Sequence, residues 1–111
     1  MRVLIVGILL AALTACASNE DLRKKDPVFF ATTQKSPDDY AACVMTSWRQ
    51  LEARVTQEPI RNGFDLVVRS RFDVEEVLRV QHYDGVTHLN MYARTRYKYQ
   101  ELMQAANLCV S

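Results

Sequence analysis

The chain has 111 residues, of which 49% are hydrophobic and 24% are charged, with 14 basic and 13 acidic side chains. This length fits one domain that can just bury its own core, and it leaves no room for a second domain. The balance of charge argues against a nucleic-acid partner, because DNA- and RNA-binding domains concentrate basic residues.

The N-terminus has the three parts of a secretory signal. Arg2 precedes an apolar stretch at residues 3–13, and small residues follow before Cys16. As a helix this stretch would span only about 16 Å, roughly half of the ~30 Å hydrocarbon core of a bilayer. We therefore expect residues 1–15 to be a signal peptide rather than a membrane-spanning helix.

The residues before Cys16 resemble a bacterial lipobox. Leu13, Thr14 and Ala15 are the aliphatic and small residues that precede the lipid-modified cysteine in that motif. The resemblance implies cleavage before Cys16 and a lipid anchor in the bacterial cell envelope, since several acyl chains at ~0.8 kcal/mol per methylene hold a protein stably. Ala17 is not the aspartate that retains lipoproteins in the inner membrane of enteric bacteria, which favours the outer membrane, facing the periplasm. The alternative is an ordinary secretory signal beside an unrelated cysteine.

Two further cysteines, Cys43 and Cys109, are left once Cys16 is assigned to the lipid. In an oxidising compartment such a pair is expected to form a disulfide. In the chain-entropy model this bridge would stabilise the domain by roughly 4 kcal/mol. Two free buried thiols are the alternative.

Residues 16–27 are polar and charged and have no apolar period. They predict a flexible tether, and the domain is expected over residues 28–111. Residues 28–33 are rich in β-branched and aromatic side chains, which favours a short edge strand.

Ser36 and Pro37 predict the start of a helix, because a capping hydroxyl and a proline at the first helical position suit the geometry there. Asp38 and Asp39 follow in the first turn, where the positive end of the helix dipole favours carboxylates. An apolar stripe then runs along one side of the helix, with Cys43 on its flank. The stripe comprises Tyr40, Val44, Trp48, Leu51 and Val55.

The apolar pattern breaks at Pro59 and at residues 62–63. Then Phe64, Leu66 and Val68 alternate with Asp65, Val67 and Arg69, which is typical of a half-buried strand. Asp84 and Gly85 then favour a two-residue type I′ turn between two antiparallel strands within residues 77–94. A register slip of one residue would destroy the agreement between turn and pattern. The predicted pairs are Val80 with Leu89 and Leu78 with Met91 on the apolar side, and Arg79 with Asn90 and Gln81 with His88 on the other.

Four residues near the C-terminus recur at the spacing of one helical face and predict a last helix from about residue 96 to residue 108. They are Tyr99, Leu102, Ala106 and Cys109. The order of elements, β-α-β-β-β-α, predicts an α+β fold in which a small antiparallel sheet carries two helices on one face.

Few side chains of the sequence are candidates for catalysis or for binding a metal or phosphate. The predicted register places His82 on the packed side of the hairpin and His88 on the solvated side, so that they cannot share a metal ion or relay a proton. The chain has no closely spaced cysteine or histidine pair for zinc and no glycine-rich loop for phosphate. Glu75 and Glu76 are interpreted as solvated charges near a strand start. We predict no catalytic residue, no metal and no cofactor.

The side of the sheet away from the helices is predicted to carry several basic residues and an aromatic ring. Because the planar fork of arginine suits phosphates and carboxylates, this side is a candidate surface for an anionic envelope component or an acidic protein. An ordinary solvated face, balanced by Asp65, Asp73 and Glu75, is the alternative. The candidate binding face comprises Arg69, Arg71, Arg79, His88, Tyr92 and Arg94.

Residues 25–29, 36–43 and 105–109 read KDPVF, SPDDYAAC and AANLC, and Trp48 lies between the second and the third of these motifs. Together with the lipobox, they resemble a family of small uncharacterised proteobacterial lipoproteins, which brings no established activity. We therefore expect a membrane-anchored, non-enzymatic binding or scaffolding module. The alternative is a periplasmic enzyme inhibitor or a small hydrolase, of which the hydrolase needs a polar cluster in a pocket.

Overall fold

The computed structural model of the protein describes residues 22–94 and 100–111. Within these ranges the elements are β1 (Phe29–Thr33), α1 (Pro37–Gln50), β2 (Val55–Ile60), β3 (Gly63–Arg69), β4 (Val74–Tyr83), β5 (Val86–Ala93) and α2 (Gln100–Leu108). The strands form one antiparallel sheet in the order β1-β5-β4-β3-β2, with β1 at an edge. The predicted α+β class, with an antiparallel sheet and two helices, is confirmed. The predicted signal peptide, Cys16 and the first turn of the last predicted helix, with Tyr99, lie outside the described residues.

The helix α1 begins as predicted and ends earlier. Ser36 caps it, because its hydroxyl accepts a hydrogen bond from the N–H of Asp39 at 3.1 Å. The chain leaves the helix after Gln50, and Glu52 adopts a left-handed conformation with φ 63°. The predicted apolar stripe is therefore wrong beyond Trp48. Leu51 is exposed, and Val55 opens β2.

The strand β2 is an addition to the predicted elements. Among the described strands it pairs only with β3 and forms the second edge of the sheet, and it contains Pro59. Proline is tolerated in an edge strand, where its missing N–H need not break the ladder. Because Pro59 interrupts the apolar pattern, this strand was not predicted from the sequence.

The turn between β4 and β5 sets the register of the sheet. Asp84 and Gly85 have φ of 52° and 82°, the two left-handed residues that a type I′ turn requires. The predicted pairs, among them Val80 with Leu89, are confirmed. The strand β4 starts at Val74, three positions before the predicted start.

Both helices pack on the same side of the sheet, over its apolar residues. Two fully buried side chains of α1 also bond to α2: the Tyr40 hydroxyl donates to the carbonyl of Ala106 at 2.7 Å, and Trp48 Nε1 donates to that of Leu102 at 2.9 Å. The sheet contributes Leu66, Val68, Leu78, Val80, Leu89 and Met91 to this core. The predicted placement of both helices on one face is confirmed.

A disulfide joins Cys43 on α1 to Cys109 beyond the end of α2, as predicted. Two hydrogen bonds hold the same C-terminal segment to the end of β1 and the residues after it. The Thr33 hydroxyl donates to the carbonyl of Val110 at 2.6 Å, and Lys35 Nζ donates to that of Cys109 at 2.7 Å. The C-terminus is thus fixed to α1 covalently and to β1 by hydrogen bonds.

Replacing Cys43 and Cys109 together by alanine should lower the free energy of unfolding by about 4 kcal/mol, because the bridge closes a long loop in the unfolded chain. Urea unfolding measures this loss. Reduction should lower the stability of the parent protein and leave that of the double variant unchanged. If both thiols react with an alkylating reagent in the denatured, unreduced protein, the bridge is absent.

Stability should also fall in alkaline solution because of Tyr40. Burial raises the pKa of its hydroxyl above the usual value of 10.0. The folded protein therefore holds this proton more tightly than the unfolded chain, and the stabilisation is complete below about pH 10 and is lost as the pH rises further, by up to ~1.4 kcal/mol per pH unit. Urea unfolding on both sides of this pH tests the effect. Tyr40→Phe should lose this part of the pH dependence, and an equally steep fall in that variant would contradict the assignment.

Candidate functional site

The sheet has a second side, opposite α1 and α2, which we call the helix-free face. Cross-strand pairs define it, since directly opposed residues point to the same side. Its residues are Phe30 and Thr32 from β1, Thr56 and Glu58 from β2, Asp65 and Val67 from β3, Val77, Arg79 and Gln81 from β4, and His88, Asn90 and Tyr92 from β5.

The chain before β1 covers part of this face. Leu22 is 1% exposed and packs with Val67, Val74 and Val77, and the half-buried ring of Tyr92 borders the same cluster. Burying a leucine side chain stabilises a fold by about 2 kcal/mol. The predicted flexible tether over residues 16–27 is therefore corrected: from Leu22 onward the chain is part of the folded domain.

A buried carboxylate lies at the centre of the helix-free face. Arg79 donates from Nε to Asp65 Oδ1 at 2.9 Å and from Nη2 to Oδ2 at 3.0 Å. Arg23, next to Leu22, donates to the same Oδ2 at 3.3 Å. The bidentate hydrogen bond with Asp65 raises the pKa of Arg79, which keeps its positive charge. Asp65 thus joins the N-terminal segment to β4.

The other arginines of the candidate binding face are also bound to the protein. Arg69 contacts Glu58 at 3.4 Å and the hydroxyl of Thr56 at 3.0 Å. Arg94 forms an ion pair with Asp73 at 3.1 Å and donates to the carbonyl of Val74 at 3.0 Å. Arg71 lies outside the sheet, exposed in the loop between β3 and β4.

The predicted residues thus do not converge on one site. Most are on the predicted side of the sheet, but Arg69, Arg79 and Arg94 each form an ion pair with a different carboxylate. Two of these carboxylates, Asp65 and Asp73, were expected to balance the face, and the third, Glu58, lies on the unpredicted strand β2.

The rest of the helix-free face is open and aromatic. Phe30 is 75% exposed, and the rings of Tyr83 and His88 stack with centroids 3.6 Å apart. These rings border a shallow depression of about 340 Å³, to which Thr32 and Asn90 contribute polar groups. Phe30 and Tyr83 were not among the predicted residues of this site. The sequence of β1 does not indicate that β1 pairs with β5, which is what brings Phe30 to these rings.

The predicted environments of three side chains are wrong. His82 does lie opposite Thr87 on the helix side, with Nδ1 3.2 Å from the threonine hydroxyl, but it is exposed because it lies at the end of the sheet. His88, which was expected in solvent, is half-buried against Tyr83. Glu76 was also expected in solvent and is buried. The extension of β4 beyond its predicted start explains the difference at Glu76, since it places this residue inside the sheet, opposite Val68 and Ala93.

Across residues 22–94 and 100–111, no group of three or more His, Cys, Asp or Glu side chains has a geometry that could hold a metal ion. No helix in these two ranges has the length and apolar character needed to cross a membrane. Comparisons of the chain with protein-family models, with curated proteins and with solved structures gave no match.

Arg79→Ala should lower the free energy of unfolding by about 2 kcal/mol, because Asp65 would stay buried with Arg23 as its remaining arginine. Arg69→Ala is the matched control. Both members of its ion pair are 42% exposed, and such pairs change stability by less than about 1 kcal/mol. Urea unfolding compares the two variants, and equal losses would show that Asp65 is not the electrostatic centre of this face.

Proposed function

We propose that the protein is a bacterial envelope lipoprotein, anchored through a lipid on Cys16 and sorted to the outer membrane, and that its domain is a non-enzymatic binding or scaffolding module. The lipobox and the resemblance to small proteobacterial lipoproteins motivate the anchor. The observation that carries the proposal is the packing of Leu22 and Arg23 on the helix-free face.

This packing makes the connection between lipid and domain short. Six residue steps separate Cys16 from Leu22, and an extended chain of that length spans at most about 20 Å. The lipid would therefore hold the domain close to the bilayer and restrict its orientation. A fixed position at a membrane suits a scaffold or an anchored receptor.

Three reactive side chains of the described residues are used in structural contacts, which supports a binding role. Cys43 and Cys109 are joined to each other, and the Asp65 carboxylate accepts three N–H groups from two arginines. The open aromatic part of the helix-free face, around Phe30, is the surface that we assign to a partner. Exposed aromatic rings beside a few polar groups are common at protein interfaces.

The anchor is tested by metabolic labelling with a fatty-acid analogue. The parent chain should incorporate the label, and Cys16→Ser should not, because the thiol of Cys16 receives the lipid. Fractionation of the envelope should then place the parent in the outer membrane. Equal labelling of the parent and the variant would refute lipidation at Cys16.

The binding surface is tested in cells by replacing Phe30 of the full chain with a photo-crosslinking phenylalanine analogue. Irradiation should give a discrete adduct from this position. The control places the same analogue at Leu51, an exposed apolar residue just after α1. Adducts from Leu51 and none from Phe30 would move the partner surface away from the helix-free face.

A further inference from the structure

The loop between β3 and β4, residues 70–73, presents an apolar ring to solvent. Phe72 is 91% exposed. The loop is a closed turn: the N–H of Ser70 donates to the carbonyl of Asp73 at 2.9 Å, and the Ser70 hydroxyl accepts from the N–H groups of Phe72 and Asp73 at 3.4 Å and 3.3 Å. These bonds hold the backbone under the ring in one conformation.

This loop and the N-terminal segment lie at the same end of the sheet, and Arg94 connects them. Its side chain pairs with Asp73 in the loop at 3.1 Å, and its carbonyl accepts a hydrogen bond from Lys25 Nζ at 3.5 Å. Val74, which follows the loop, packs against Leu22. Phe72 is therefore carried by the part of the domain to which the anchored chain is attached.

The chain length between anchor and domain limits what can face this loop. Leu22 lies within about 20 Å of a lipid on Cys16. The charge of this end also suits a phospholipid surface. Arg23 and Arg94 pair with Asp65 and Asp73, and the other charges of residues 22–27 and 70–75 are three cations and two carboxylates. The cations are Lys24, Lys25 and Arg71, and the carboxylates are Asp26 and Glu75.

We infer that the 70–73 loop is a second membrane contact, in which Phe72 enters the interfacial region of the bilayer and Arg71 meets anionic phospholipid headgroups. This inference rests on the proposed lipid anchor. Phenylalanine is one of the apolar side chains that interfacial membrane anchors bury at the boundary between headgroups and acyl chains, and basic residues close to the surface are attracted by anionic lipids. A lipid on a short chain limits the distance of the domain from the bilayer and only partly restricts its orientation, and the loop would fix that orientation.

The test uses the full-length lipidated protein in vesicles of phosphatidylcholine and phosphatidylglycerol with brominated acyl chains, which quench tryptophan fluorescence on contact. Phe72→Trp places a reporter in the loop, and Leu108→Trp is the control, since Leu108 on α2 is similarly exposed at 78%. The native Trp48 is fully buried and serves as an internal reference. The emission added by Phe72→Trp should shift to the blue and lose most of its intensity, whereas that of Leu108→Trp should stay unchanged.

Other outcomes would overturn the inference. Quenching of neither reporter, or of both equally, would show that the loop is not directed at the bilayer. If the emission of the Phe72→Trp reporter shifts to the blue in envelope preparations and not in vesicles, the partner of the loop is a protein and not the bilayer. The mass of the same samples separates the two proposals: a lipidated but unquenched protein contradicts only the membrane contact, and an unlipidated protein contradicts the anchor and, with it, the contact.

Discussion

The two-residue turn at Asp84 and Gly85 is the constraint on which the rest of the structure depends. Both residues adopt left-handed conformations, and this geometry determines which side chains of β4 and β5 face the helices. Because side chains alternate along a strand, a shift of one residue would turn Leu78 and Val80 to the other side of the sheet. The core under α1 and α2, and the composition of the helix-free face, both follow from this register.

The helix-free face has its own apolar residues, which would lie in water if nothing covered them. Val67 and Val77 are the buried members at its centre, and Leu22 covers them from the N-terminal side. Arg23 adds an ion pair to Asp65 at the same place. The segment that leads toward the predicted lipid site is therefore also packed on the sheet. Under the proposed lipid anchor, this packing would link the stability of this face to the position of the domain at a membrane.

Electrostatic pairing changes the character of the same face. The sequence predicts a basic surface from the arginine side chains. In the structure, however, Arg69, Arg79 and Arg94 lie beside carboxylates of neighbouring strands and of the β3–β4 loop. A paired guanidinium is less available to an external anion, since binding would require a competing acceptor or leave a carboxylate without its partner. The exposed aromatic rings of Phe30 and Phe72 are therefore the features through which we propose that this domain contacts other molecules.

The sequence by itself determined the local features of this protein: the start of α1 at Ser36, the hairpin at Asp84 and Gly85, and the disulfide, which followed once Cys16 was assigned to the lipid. Each of these features depends on a few neighbouring residues or on the number of cysteines, so it can be predicted from the sequence alone. The tertiary structure alone decided the strand β2, the pairing of β1 with β5 and the packing of Leu22. These features depend on contacts between residues far apart in the chain. The composition of a segment does not show which distant segment it will contact, since several segments could make such contacts equally well. For the same reason the sequence predicted the side of the sheet on which most of the arginines lie and two of the carboxylates that balance them. The assembled sheet decided which arginine pairs with which carboxylate and added Glu58.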